Sequence, residues 1–173
     1  MEIKLKTPID DKSRQSLSAG QEVLISGIIY TGRDAAHKRL VDAIKDKKPL
    51  PFDIKDQIIY YVGPTPAKPG QIIGACGPTS SYRMDQYSPL LMEKGLKIMI
   101  GKGPRSDAFK EELIKHKAIY LLAIGGLGAK LSQTVKENTV IAYDDLGTEA
   151  IRKLRVEDFP AIVAIDSSGN AII

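Results

Sequence analysis

The chain has 173 residues, 43% of them hydrophobic, enough to bury a core, so residues 1–173 are expected to form a single domain. Lys and Arg outnumber Asp and Glu by 25 to 21, giving a formal charge of +4 with the two signs interspersed. This favours small anionic ligands over nucleic acid, for which the basic stripe is missing, and aromatics at 6% with no Trp offer no stacking platform for single strands. One cysteine, Cys76, excludes an internal disulfide, and with only two histidines the chain cannot build a conventional zinc site or hold an iron–sulfur cluster alone, so any such metal comes from a partner.

Residues 1–6 alternate apolar and polar like a strand and lack the apolar core of a signal peptide; no stretch is long enough to cross a bilayer, and a cytoplasmic location is expected. After Thr7-Pro8, residues 11–20 read as a polar approach to a strand over 22–30 with both faces buried. Ala36, Leu40, Val41 and Ile44 then recur at helical spacing within 33–47, which puts Arg33 at a helix start, where free N–H groups and the dipole favour an anion. His37 lies one turn on and can share its face, although a solvated Arg33 and a capping or packed His37 remain the plain alternatives.

Residues 45–55 are charged and broken by Pro49 and Pro51, a solvated connection before a strand at 58–62. A rigid loop over 63–70 leads to an apolar run, 71–76, expected to be a buried strand that delivers the turn Gly77-Pro78-Thr79-Ser80-Ser81-Tyr82-Arg83-Met84-Asp85. A short helix is expected over 88–95, with Ser88 as its cap, Pro89 at its start and Gly95 past its end. Residues 97–100 form a strand opening into Gly101-Lys102-Gly103, whose glycines leave the lysine mobile. Ser106 caps a helix through Lys117, in which His116 reads as surface. A strand over 118–124 ends at Gly125-Gly126, and a helical stretch begins near Ala129. A strand at 140–143, a short helix at 149–154, and two short strands around a Ser-Gly-Asn turn in 161–173 complete what reads as a whole domain of interleaved α/β type.

Three cations therefore follow expected strands: Arg33, Arg83 and Lys102. Arginine grips a carboxylate through two parallel hydrogen bonds and lysine adds a mobile point charge, so their convergence would suit a small dicarboxylate, with phosphate also possible. Thr79 and Arg83 are four apart, and a helical turn would set a hydroxyl beside a cation; Thr79 and Ser80 equally suit turn or cap hydroxyls. Neither a P-loop nor a dinucleotide fingerprint is present.

Gly32-Arg33-Asp34-Ala35-Ala36-His37-Lys38-Arg39, the Gly77 to Asp85 turn and Gly101-Lys102-Gly103 resemble the β subunit of class I, iron–sulfur fumarate hydratases, as do Asp145-Leu146-Gly147-Thr148-Glu149-Ala150-Ile151 and Val156-Glu157-Asp158-Phe159-Pro160. The resemblance covers essentially the whole chain, and the related L-tartrate dehydratase β subunits share much of the pattern. It implies a swivelling three-layer β/β/α domain and a partner α subunit whose three cysteines hold an iron–sulfur (4Fe-4S) cluster, in a hetero-oligomer active only when both halves meet. The implied reaction is reversible dehydration of (S)-malate to fumarate. By the same resemblance Arg33, His37, Arg83 and Lys102 bind substrate and Thr79 is the base, an awkward role for an alcohol unless another group takes its proton or cations stabilise its alkoxide. Ser80 stands where many relatives carry a second threonine, which keeps the hydroxyl. Cys76 is expected to be a buried structural residue. A non-catalytic carboxylate-binding or assembly domain is the alternative from a different class.

Overall fold

Most apolar runs in this chain are strands, several of them buried on both faces. The computed structural model describes residues 2–124 and 128–173; Met1 and the expected strand end at Gly125-Gly126 lie outside them. In order come β1 (Ile3–Lys6), α1 (Asp11–Ser16), β2 (Glu22–Thr31), α2 (Asp34–Lys45), β3 (Ile58–Tyr60), a 3-10 turn (Ser81–Met84), α3 (Ser88–Glu93), β4 (Ile98–Gly101), α4 (Asp107–His116), β5 (Ile119–Ala123), α5 (Gly128–Ser132), β6 (Val135–Ala142), a second 3-10 turn (Asp144–Glu149) and β7 (Ile151–Ile165). The α/β class expected from the sequence is what the chain adopts, and among the described residues no helix is long and apolar enough to cross a membrane.

Strands β1 to β5 pair in parallel, while β7 runs antiparallel to β2, β5 and β6. Because β2 pairs with both β3 and β7, and β7 with β5, the ladders β2-β3-β4-β5-β7 close into a ring. Successive residues point to opposite faces. Ile58, Tyr60, Ile98, Ile100, Ile119 and Leu121 enter one core with Val156, Phe159 and Val163 of β7, whereas Ile59, Tyr61, Met99 and Tyr120 pack against Leu40, Leu91, Phe109 and Leu113 of the helices. A sheet covered on both faces needs continuous apolar strands, which is why these segments show no alternation.

Four expectations are corrected. Residues 71–76 are irregular, not a strand: Thr65 N–H donates to Ala75 O (2.9 Å), Ala75 N–H to Thr65 Oγ1 (2.8 Å), and Gly74 lies so close to Thr65 that a Cβ would overlap it. Ile73 and Cys76 are buried by this fold-back without a ladder. Of the helix expected at 149–154, Glu149 ends the second 3-10 turn and residues 151–154 begin β7, because Ile151, Leu154 and Val156 face inward and both backbone edges pair, with β2 and with β6; pairing on two edges overrides a short helical pattern. Ser88 is not the cap of α3 but lies inside it, its hydroxyl donating to Met84 O (2.9 Å). His116 is only 15% exposed and contacts Glu112 at 3.4 Å.

Three features lay outside the sequence pattern. Helix α1 interrupts the polar approach, capped by Asp10, which accepts from Ser13 N–H (2.7 Å). Strand β6 begins at Val135, five residues earlier than its apolar end suggested, because it is an edge strand whose first half is polar and largely exposed. The last expected strand is reduced to one bridge, Ile165 to Ala171, and the turn before it is organised by Asp166, whose Oδ1 accepts from Ser168 and Asn170 N–H (3.0 Å each).

Candidate active site

Strands β2, β3 and β4 are parallel neighbours, so the segments that follow them share one edge of the sheet, where parallel α/β sheets commonly bind ligands. Arg33 leaves β2 as the extended N-cap of α2. Its stem crosses Gly63, just beyond β3, where a Cβ would lie 2.9 Å from Arg33 Cδ and 3.1 Å from Thr148 O. Glu149 accepts from Ala35 N–H (3.3 Å) and so occupies the N-terminus of α2, and Arg39 clasps Asp145 through two bonds of 2.8 and 2.6 Å. The second 3-10 turn thereby holds the start of α2 from outside.

His37 secures Arg33 from within. Its backbone N–H and ring Nδ1 both meet Arg33 O, at 2.9 and 2.7 Å. A carbonyl only accepts, so the neutral ring carries its proton on Nδ1 and keeps Nε2 as an acceptor. The ring is fully buried, edge-on to Tyr61, and burial pushes its pKa down to about 4, aided by the charge of Arg105 and opposed by the bond to Arg33 O.

The turn that carries Thr79 and Arg83 is wedged between the diverging ends of β3 and β4. Thr79 N–H donates to Tyr61 O (2.8 Å), Ser81 N–H to Lys102 O (2.9 Å), and Lys102 N–H to Ser81 Oγ (3.0 Å). Thr79 is thus on an extended segment and the 3-10 turn begins only at Ser81, so Thr79 and Arg83 do not share a helical face. No hydrogen bond of the Thr79 hydroxyl and no ion pair of Lys102 is made among the described residues; Lys102 is exposed and Thr79 half-buried.

Arg83 and Arg33 converge on one carboxylate. Asp34 Oδ2 forms an ion pair with Arg83 Nε at 2.8 Å, and Asp34 Oδ1 stands 3.9 Å from Arg33 Nε. Asp34 and Arg83 line an open cleft of about 680 Å³ with Tyr82, Asp85, Arg105 and Ser106. Arg33 Nε, Asp34 Oδ1 and His37 Nε2 are buried yet make no hydrogen bond among the described residues. Buried polar atoms ordinarily find partners, so these three atoms within one helix turn keep hydrogen-bonding capacity in reserve.

Residues 1–173 match the family model described as fumarase C-terminus. The chain belongs to that family. It is 39% identical to fumarate hydratase 2 of Leishmania major over 98% of this chain and 31% of that protein, and 45% identical to the anaerobic class I fumarate hydratase of Escherichia coli K12 over 84% of this chain and 27% of that protein. It is also 37% identical to a putative L(+)-tartrate dehydratase subunit beta of Methanocaldococcus jannaschii, over 93% of this chain and 86% of that protein. The chain thus spans about a third or less of the fumarate hydratases named here, and most of the tartrate dehydratase subunit.

Within this fumarase C-terminal domain, then, the fold joins Arg33 to Arg83 through Asp34, His37 to Arg33 through its carbonyl, and the Thr79–Ser81 segment to Lys102 through the backbone. No side-chain contact among the described residues joins Lys102 to the arginines. Sequence reasoning passed over Asp34, Ser81, Asp85 and Arg105. Arg105 is buried, pairs with Asp85 Oδ1 through Nε (2.5 Å), reaches Tyr61 and Ser88 through Nη2 (3.2 and 3.3 Å), and stacks 3.5 Å above the ring of Phe109. Asp85 Oδ2 also accepts from Ser106 N–H (2.7 Å), tying the turn to the start of α4. The only sequence signal for this pair was an arginine beside the Ser106 cap. Cys76 is fully buried, its thiol pushed up to about 12 by desolvation, and its carbonyl accepts from Tyr60 OH (2.5 Å).

Proposed function

We propose that this chain is the β subunit of a cytoplasmic iron–sulfur hydro-lyase that interconverts (S)-malate and fumarate, binding the substrate carboxylates and working only with a cluster-bearing α subunit. The observation that carries this reading is the convergence of Arg33 and Arg83 on a single carboxylate at the edge of the sheet that also presents Thr79 and Lys102. The names of the relatives support the reaction, and the word subunit in one of them supports a two-chain enzyme. Helices packed on one face of the sheet support the swivelling three-layer β/β/α description.

Dehydration removes a proton from the carbon next to a carboxylate, and the electron pair left behind spreads into a group that is already anionic. Fixed cations aimed at that carboxylate lower the barrier because they require no reorganisation as charge grows. Arg33 and Arg83 offer forks for the carboxylates and Lys102 an ammonium with no ion pair among the described residues. Thr79 is the proton acceptor in this reading, and the hydroxide departing from the neighbouring carbon leaves as water with a proton supplied by an acid of the partner subunit. With no base bonded to its hydroxyl among the described residues, Thr79 works either as an alkoxide held by these cations or with a group of the partner taking its proton. His37, neutral and buried, fixes Arg33 and offers Nε2 as an acceptor.

The residues here do not fit an iron–sulfur cluster. There is one cysteine, it is buried with a raised pKa, and among the described residues no three His, Cys, Asp or Glu side chains gather as ligands. The cluster is therefore assigned to the α subunit.

The chain mixed anaerobically with that subunit should produce fumarate from (S)-malate, and Arg83→Ala should lower turnover roughly 100- to 1,000-fold with an unchanged urea midpoint. Full activity in the variant would remove Arg83 from the mechanism. The match across most of a tartrate dehydratase subunit favours a second substrate, L-tartrate, and turnover of L-tartrate in preference to malate would select it.

A further inference from the structure

Asp34 takes no part in the chemistry above, yet among the described residues it is the one side chain ion-paired with both arginines. It is the first residue of α2, so its backbone is fixed by the helix, by His37 clamping Arg33 O, and by Glu149 on Ala35. Arg83, by contrast, lies on a 3-10 turn with its side chain 47% exposed, and Asp34 is its only side-chain partner among the described residues. A guanidinium can meet a carboxylate side-on through Nε or end-on through its two terminal nitrogens. Asp34 holds Nε, which leaves the end-on fork of Arg83 available to the cleft.

We propose that Asp34 is a positioning residue that aims the Arg83 fork and holds Arg33 and Arg83 together against their mutual repulsion, setting the affinity of the site for a substrate carboxylate. This rests on the reading of the pocket as a dicarboxylate site. An ordinary surface ion pair would be of little consequence. Asp34 differs because its Oδ1 is buried on the Arg33 side, its Oδ2 pairs with Arg83, and the residue lines the cleft. A carboxylate that merely filled the site until substrate displaced it would have the opposite effect, since its removal would tighten binding.

The two are separated by titrating the 173-residue chain, labelled with nitrogen-15 in arginine, with succinate, a dicarboxylate without a hydroxyl to lose. In the wild type the Nε–H signals of Arg33 and Arg83 should shift together. Asp34→Asn keeps the shape and removes the charge; it should weaken succinate binding roughly tenfold, and Asp34→Ala more, while Asp34→Glu recovers part of the loss. In the assembled enzyme the same variants should raise KM for malate more than they lower kcat, a split that general loosening of the fold would not give. Equal or tighter binding by Asp34→Asn would overturn the positioning role. If succinate moves neither arginine in the wild type, the dicarboxylate pocket falls and this role with it.

Discussion

Ser81 Oγ occupies the space that a side chain on Gly101 would need: a Cβ built there overlaps the hydroxyl and comes within 2.8 Å of Tyr61 Cδ2. The same hydroxyl accepts from Lys102 N–H (3.0 Å) and Tyr120 OH (2.7 Å). One serine, seated on one glycine, thus sets the distance between the turn carrying Thr79 and Arg83 and the loop carrying Lys102.

Gly101→Ala is therefore expected to expel Ser81 and shift the whole turn. Overpacking at a tight site costs about 1–3 kcal/mol, which a urea midpoint would register. Carboxylate affinity should fall by more than that loss of stability explains, since the folded variant still carries a displaced Arg83. Ser81→Ala added to Gly101→Ala should restore only part, because Tyr61 still crowds the new methyl group. Unchanged stability and affinity in Gly101→Ala would show that the turn is not seated this way.

Asp85 and Arg105 form the second anchor of that turn. The Arg105 side chain is wholly enclosed, with its guanidinium among Tyr61, Phe109 and Tyr120, and Asp85 supplies its one countercharge among the described residues. Removing one partner of such a pair leaves an uncompensated buried charge, at a cost of about 3–5 kcal/mol, whereas replacing both with apolar groups of similar volume is far milder. Asp85→Ala should accordingly destabilise the chain much more than Asp85→Leu combined with Arg105→Met, by thermal or urea unfolding. Additive losses in the double variant would contradict the pairing.

These anchors explain what was and was not legible beforehand. Strands β2 to β5, α2 and α4 were readable because each has its own apolar spacing or cap, as with Leu40 and Val41 in α2 and Ser106 before α4. The Arg33, Thr79, Arg83 and Lys102 motifs were readable as chemistry near expected strand ends. Residues 71–76 and 151–156 misled because their structure is decided by what lies alongside: Thr65 for the first, β2 and β6 for the second. Asp34 and Arg105 acquire their meaning only where distant segments cross, from Arg83 for the one and Asp85 for the other, and no local periodicity encodes such a crossing.

His37 gives the site a pH dependence of definite sign. The unfolded chain carries this imidazole at its ordinary value of 6.5, while in the fold desolvation holds it at about 4. Between those values the unfolded state binds a proton that the folded state refuses, so stability rises with pH across the window. The contribution of the neutral ring is complete above about 6.5, is lost as pH falls toward 4, and changes no further below that, where both states are protonated. A depression of this size corresponds to about 3 kcal/mol. His37→Asn keeps a donor for Arg33 O and removes the titration. Urea unfolding of both proteins at pH 7, 5 and 4 should show the wild type losing its advantage over the variant by roughly that amount. A stability difference that stays constant across the window would mean that His37 is not held neutral, and that Nε2 is not the acceptor assigned to it.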